Sequence, residues 1–161
     1  MAVDMFIKIG DIKGEAQDGD HKDSIDVLAW SWGLSQSGTT HMGSGGGAGK
    51  VNVQDLSFTK YVDASSTALV VSACKGTHIK EAKLTVRKAG DTPLEYIKIT
   101  LEDCLVSSLS TGGSGGEDRL TENVTLNFAK FKVEYTSQAK TGGKAATTTA
   151  AWDIAANKPM G

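Results

Sequence analysis

The chain has 161 residues, about one domain at the usual ~150 residues per domain, and can bury roughly two-thirds of its unfolded surface. Its 17 Lys and Arg against 19 Asp and Glu leave a formal net charge of -2, which excludes the basic footprint of a nucleic-acid binder and the charge excess of a disordered chain. The longest apolar run is four residues, as in Ala68 to Val71, against the ~20 that a membrane-spanning helix needs, and the opening Met1 to Asp4 has neither the basic start nor the apolar stretch of a secretory signal, so none is predicted.

Val3, Met5, Ile7 and Ile9 alternate with Asp4, Phe6 and Lys8, a period of two that predicts a strand with one buried face. Gly14 to Asp23 is polar and acidic and predicts a loop. Ile25, Val27 and Ala29 alternate with Asp26, Leu28, Trp30 and Trp32; apolar residues at both parities predict a strand covered on both sides. Ser35 to Gly49 has no period and is rich in glycine, which predicts a long functional loop. Lys50 to Tyr61 predicts a strand with a bulge near Gln54-Asp55, where the alternation slips.

One helix is predicted after Ser65 or Ser66 as its cap, with Leu69, Val70, Ala73 and Cys74 as its apolar stripe and Gly76 ending it. Ala82, Leu84 and Val86 predict a strand, Ala89 to Pro93 a hairpin turn, and Ile97, Ile99, Leu101 and Leu105 one face of a long strand. Thr111 to Gly116 is a second glycine-rich turn. In the long strand that follows, Leu120, Val124, Leu126 and Phe128 share one parity, and Phe131, Val133 and Tyr135 the other. That switch predicts either a bulge near Ala129-Lys130 or a second face buried by a neighbouring subunit, which makes Phe131, Val133 and Tyr135 the interface candidates. Residues 136–149 predict a mobile connection, and residues 150–156, with Trp152 and Ile154, a short closing strand. The sum is one mainly β domain over residues 1–161, an antiparallel barrel or sandwich with one short helix.

Short motifs carry little chemistry. Cys74 and Cys104 form no Cys-x-x-Cys pair and predict buried small side chains. Cys74 and His78 lack a second Cys/His pair, so no metal or cofactor is predicted. The Gly45 to Lys50 run lacks the glycine spacing and the Ser or Thr of a phosphate loop, having Ser44 and Val51 at those positions. Gly112 to Asp118 is a single, imperfect copy of a calcium-binding repeat and predicts a hairpin turn. Asn123-Val124-Thr125 matches a glycosylation sequon but lies mid-strand. Glu117, Asp118 and Glu122 form an acidic group near Arg119, expected as an ion-pair cluster rather than catalytic carboxylates. Trp30 and Trp32 on one strand leave open an alternative, a carbohydrate- or peptide-binding β module; a small hydrolase is a further alternative.

Beyond these motifs, Ile25 to Gly33, Lys50 to Tyr61, Ala82 to Thr85, Arg87 to Gly90 and Ser110 to Phe128 closely resemble the haemolysin-coregulated proteins, the type VI secretion tube family, from Met1 to about Tyr135. The loops at Gly14 to Asp23 and Asp91 to Glu95 and the tail after Tyr135 depart from that pattern. The resemblance implies a compact β-barrel with one helix, no enzymatic activity, and homohexameric rings that stack into a tube. It also implies a contractile sheath, a spike and a baseplate as partners, and small effectors held in the ring lumen. The protein would assemble in the cytoplasm and be secreted without a signal peptide, with neither nucleic acid nor membrane insertion. On this basis Ser31 is the lumen candidate, and Gly38, Thr39, Thr40, His41, Met42 and Gly43, with Gly90 in the next turn, are the ring-stacking candidates.

Overall fold

The computed structural model describes residues 3–37, 49–90 and 92–160. The strands are β1 (Val3–Ile9), β2 (Ile25–Ser31), β3 (Leu34–Ser35), β4 (Asn52–Val53) and β5 (Leu56–Tyr61), then helix α1 (Ser65–Lys75), then β6 (Ile79–Lys88), β7 (Leu94–Thr111), β8 (Thr121–Gln138), β9 (Lys144–Asp153) and β10 (Lys158–Pro159). Six strands in the order β8-β5-β2-β1-β6-β7 close into an antiparallel barrel through the β7–β8 pairing. Strands β9 and β10 extend the sheet beyond β8, and β3 and β4 make a separate ribbon. The expected mainly β barrel with one short helix is therefore the fold. Of the long glycine-rich loop, the stacking candidates Gly38, Thr39, Thr40, His41, Met42 and Gly43 lie outside the described residues.

Alternation sets the core: Ile7, Ile9, Leu56, Phe58, Leu84, Ile99, Leu101, Val124 and Leu126 are all buried. Strand β2 departs from the expectation of two covered faces. Its pairing with β5 steps between Val27 and Ala29, so Leu28 has no partner. This bulge exchanges the parities. Ile25 and Val27 point inward before it, Trp30 packs on the core after it, and Asp26, Leu28 and Ala29 are exposed. The slip at Gln54-Asp55 is not a bulge but a break, dividing β4 and β5 between two sheets.

Strand β8 is continuous past Ala129-Lys130, where a bulge was one of the two expectations. Up to Leu126 it pairs with β5, and from Lys130 it pairs with β9. Over the same stretch its buried side passes from Val124, Leu126 and Phe128 to Phe131. Opposite, Asp103 of β7 has φ 56, in the left-handed region. The dry face of β7 correspondingly moves from Ile99 and Leu101 to Cys104 and Val106, leaving Leu105 exposed rather than on the expected face. Burial pushes the Cys104 thiol up to about 12. Trp32 covers Phe131, edge to ring at 5.0 Å. The chain's own indole thus covers Phe131, one of the three residues that the sequence left to a bulge or a neighbour.

The tail is a strand rather than a mobile connection. Within residues 136–149, β8 continues to Gln138 and β9 begins at Lys144; Thr136 and Thr147 hydroxyls meet at 2.9 Å across the pair. β-branched threonines favour this extended backbone, which the Lys, Gly and Ala content obscures. Within residues 150–156, Trp152 belongs to β9 opposite Phe131, whereas Ile154 lies in the turn before β10.

Helix α1 ends as expected at Gly76, whose φ of 62 is left-handed. Its start is set two residues before the predicted cap. The Asp63 carboxylate accepts from Ser65 N–H at 2.8 Å, and the Ser66 hydroxyl accepts from Asp63 N–H at 3.0 Å. The stripe is rotated accordingly: Ser65, Ser66 and Leu69 are buried, Ala73 is half-buried, and Val70 and Cys74 are exposed. The small hydroxyls are buried because they seal one end of the barrel. There Lys60, fully buried, pairs with its cross-strand partner Glu122, and its Nζ lies 3.0 Å from Asp63 and 3.2 Å from Ser66 Oγ. Ser66 Oγ in turn donates to Glu122 at 2.6 Å. Glu122 therefore belongs to this buried network, apart from the exposed Glu117 and Asp118.

A second tie holds the 14–24 loop. Arg87, only 7% exposed, donates to Asp18 at 3.1 and 2.5 Å and to Asp4 at 3.2 Å. Its guanidinium stands 5.3 Å from the centroid of Phe6, on which His21 stacks at 4.6 Å. His21 Nε2 reaches Glu95 at 2.7 Å.

These ties give two tests. Glu122→Ala leaves the Lys60 ammonium without its main partner and should cost about 3–5 kcal/mol in chemical denaturation. Lys60→Met with Glu122→Leu should cost less than half of that; equal losses would show that the pair's charges are not what matters. Hydrogen bonding from Arg87 holds the Asp18 carboxyl at about 2, below the ordinary 3.8. The stabilisation from this depressed group is complete above about pH 4 and is lost as pH falls toward about 2. Asp18→Asn should remove that part of the acid-unfolding curve; an unchanged acid limb would contradict it.

Candidate functional site: an uncharged sheet face

The outward face of the β2–β5–β8–β7 sheet carries the residues that core alternation turns away from the barrel. They include Ala29 and Ser31 on β2, Ser57 and Thr59 on β5, Asn123, Thr125 and Asn127 on β8, and Ser108 and Ser110 on β7, with the larger Leu28 and Leu105 exposed beside them. Every one is uncharged, and all but the two leucines are small, in a chain that is 22% charged. Neighbouring strands tie these side chains together: Ser57 and Thr125 hydroxyls lie 3.2 Å apart, and Thr59 donates to Asn123 at 2.7 Å. The rims are different. At one, Asp55 accepts from Ser107 at 2.8 Å and Asn127 at 2.9 Å. At the other, burial and then the neighbouring Asp63 raise the Asp26 carboxyl above its ordinary value, and Arg119 stands 3.7 Å above the Tyr61 ring.

Ser31, the lumen candidate, is exposed at the end of β2 and lies opposite Ser57. A shallow hollow of 200 Å3 surrounds it, lined by Ala29, Ser57, Thr59 and Asn123 with the edges of Trp30 and Phe58. The two ends of this sheet are unpaired. Among the described residues, β6 leaves β7 after Cys104, so Leu105–Thr111 pair only with β8. Likewise β1 meets β2 only at Ile25 and Asp26, so the rest of β2 pairs only with β5. The barrel's opposite outer face is charged instead, with Asp4, Lys8, Lys83, Lys98, Lys132 and Glu134 in adjoining positions.

The other candidates are dispersed. Gly90 sits exposed in the β6–β7 turn with φ 152, a backbone that glycine tolerates. Beside that turn, burial raises the Glu95 carboxyl, but hydrogen bonds from His21 and Lys98 outweigh it and leave the group below its ordinary range. Phe131 is buried within the chain, Val133 is half-buried and Tyr135 is 49% exposed. Phe131 also borders an apolar groove of 510 Å3 with Leu34, Val51 and Trp152. Trp30 and Trp32 offer no stacked platform for a sugar: both pack on the core, and Trp32 lies against Phe128 and Phe131. Among the described residues no group of three or more His, Cys, Asp or Glu side chains is placed to hold a metal, and no helix is long and apolar enough to cross a membrane.

The resemblance singles out Ser31 as a candidate but not the uncharged face around it. The available signal was Ser, Thr or Asn at every second position of Ser57 to Thr59 and Asn123 to Asn127, opposite the inward Phe58, Val124 and Leu126.

Residues 6–135 match the family model described as type VI secretion system effector, Hcp. The protein Hcp1 of Pseudomonas aeruginosa is 62% identical over 145 residues, covering 89% of this chain and 90% of that one. The crystal structure of Hcp1 from Salmonella typhimurium superposes with a TM-score of 0.82 at 43% identity, covering 99% of this chain and all of that one. A structure described as a type six secretion system protein superposes with a TM-score of 0.93 at 27% identity and the same coverage. This chain belongs to the Hcp family of type VI secretion system proteins.

Proposed function

We propose that the chain is a subunit of the type VI secretion tube, in which six copies close into a ring whose lumen is lined by the uncharged face and carries small effectors. The observation that carries this reading is the four-stranded sheet with one neutral face and two dissimilar free edges. An unpaired edge is a template for another strand. Because the β2 edge and the β7 edge differ, joining one copy's β7 to the next copy's β2 is a heterologous contact, which makes a ring when the rotation closes. On the concave side of such a ring side chains converge, and Ser, Thr, Asn and Ala leave the channel open. A wall without charge holds no cargo by strong ion pairs, which suits a carrier that must release what it carries.

Rings would stack through Gly38, Thr39, Thr40, His41, Met42 and Gly43 and through the Gly90 turn, with Tyr135 and Val133 at lateral contacts. Sheath, spike and baseplate proteins are the further partners. Assembly in the cytoplasm and expulsion with the tube account for secretion, and the role is structural, without catalysis. The membership of the Hcp family and the barrel fold support each of these steps.

Sedimentation should give six times the 16.8 kDa chain. Ser31→Gln should keep that mass while reducing the recovery of co-expressed effector severalfold, because a longer side chain enters the channel. Single chains at micromolar concentration, or unchanged recovery, would contradict the reading.

A further inference from the structure

Two charged features lie away from the uncharged face. The first is an open cleft of 990 Å3 between α1 and the adjoining ends of β1 and β6. Lys8, Lys13, Lys80 and Lys83 border it, with Asp11 and Glu81 as its carboxylates. All four lysines are exposed, and among the described residues none makes an ion pair within 4.0 Å. Lys8 and Lys83 stand directly opposite each other on paired strands, an arrangement that is unfavourable without an anion nearby.

The second is the tip of the β7–β8 hairpin. Glu117 and Asp118 are exposed there, also without an ion pair among the described residues. The adjacent Arg119 is engaged on the Tyr61 ring. A side chain added at Gly112, Gly115 or Gly116 would meet nothing within 4 Å. The tip is therefore a slender acidic finger that its own chain does not cover.

We propose that the Glu117-Asp118 finger of one copy docks into the lysine cleft of the next copy in the ring. This rests on the ring reading above, and strand direction selects the cleft. β7, β8, β5 and β2 alternate in direction. Continuing that alternation sets the next copy's β2 antiparallel to β7. The end of β7 at Thr111, where the finger begins, then lies beside the start of that β2 at Ile25. Ile25 is paired with Ile7, next to Lys8 at the cleft's edge. Opposite charges at this place also discourage the reversed strand register, in which the finger would meet the Ser31 end instead.

The test is subunit exchange between rings carrying two different fluorescent labels, with sedimentation to confirm the ring. Glu117→Lys with Asp118→Lys, and separately Lys80→Glu with Lys83→Glu, should each speed exchange roughly tenfold, as expected when close charge pairs are made repulsive. Combining all four reversals should return the rate to within about threefold of the native protein, a recovery that misfolding cannot produce. Reversals that leave exchange unchanged, or a combined variant as fast as either parent, would overturn the finger-and-cleft contact while leaving the ring intact. Native protein that sediments as single chains would overturn the ring reading and this contact with it.

Discussion

Strand β8 changes its neighbour part-way along, from β5 to β9, and the rest of the fold depends on how it does so. Its first half lies between β5 and β7 and closes the barrel; its second half lies between β7 and β9, beyond it. A strand has one inward side chain in every two, and along β8 the buried side changes where the neighbouring strand does. The change is made between Phe128 and Phe131, whose rings meet nearly at right angles with centroids 6.4 Å apart, and both touch Trp32. Aromatic rings suit this junction because their large edges fill the wedge that opens where a sheet turns. The left-handed Asp103 lets β7 make the same turn beside it.

This handover separates the outer surface into two chemistries. Where β8 runs with β5, its outward residues are amides and hydroxyls; where it runs with β9, they include Lys132 and Glu134. Among the described residues, the uncharged half ends at strand edges that pair with no further strand, while Arg87 and the 14–24 loop cover part of the charged half. The buried Lys60–Glu122 pair then fixes α1 across one barrel end. Such a pair adds little net stability over an apolar substitute, but it admits only one position of Ser66 and hence of the helix.

The barrel was legible because its strands obey a plain rule, and the departures have local causes. Ala82 to Val86 and Leu56 to Phe58 alternate cleanly and form strands, and Val3 to Ile9 does so apart from Phe6, which is buried on the other face. Leu28 and Asp103 defeated the reading because a bulge and a left-handed residue exchange parity without any glycine or proline to announce them. Cys74 and Val70 were assigned to the core because apolar spacing marked one helix face, whereas the buried face is chosen by what Ser66 bonds to. The Thr/Ala-rich tail looked like a connection because its pairing partner, β8, is itself unremarkable in composition at that point. The uncharged face was the hardest to see. Absence of charge on alternate positions of four separate strands becomes a surface only after the strands are placed side by side.

The central claim is that copies join by their sheet edges with the hydroxyl and amide face turned inward. A three-dimensional reconstruction of the assembled protein from electron micrographs tests it most directly. The expected result is a closed ring with Ser31, Ser57 and Thr125 on the wall of the central channel and Lys83 and Lys132 on the outer side. A ring with those lysines lining the channel, or an assembly in which β2 and β7 of adjoining copies do not meet, would contradict it.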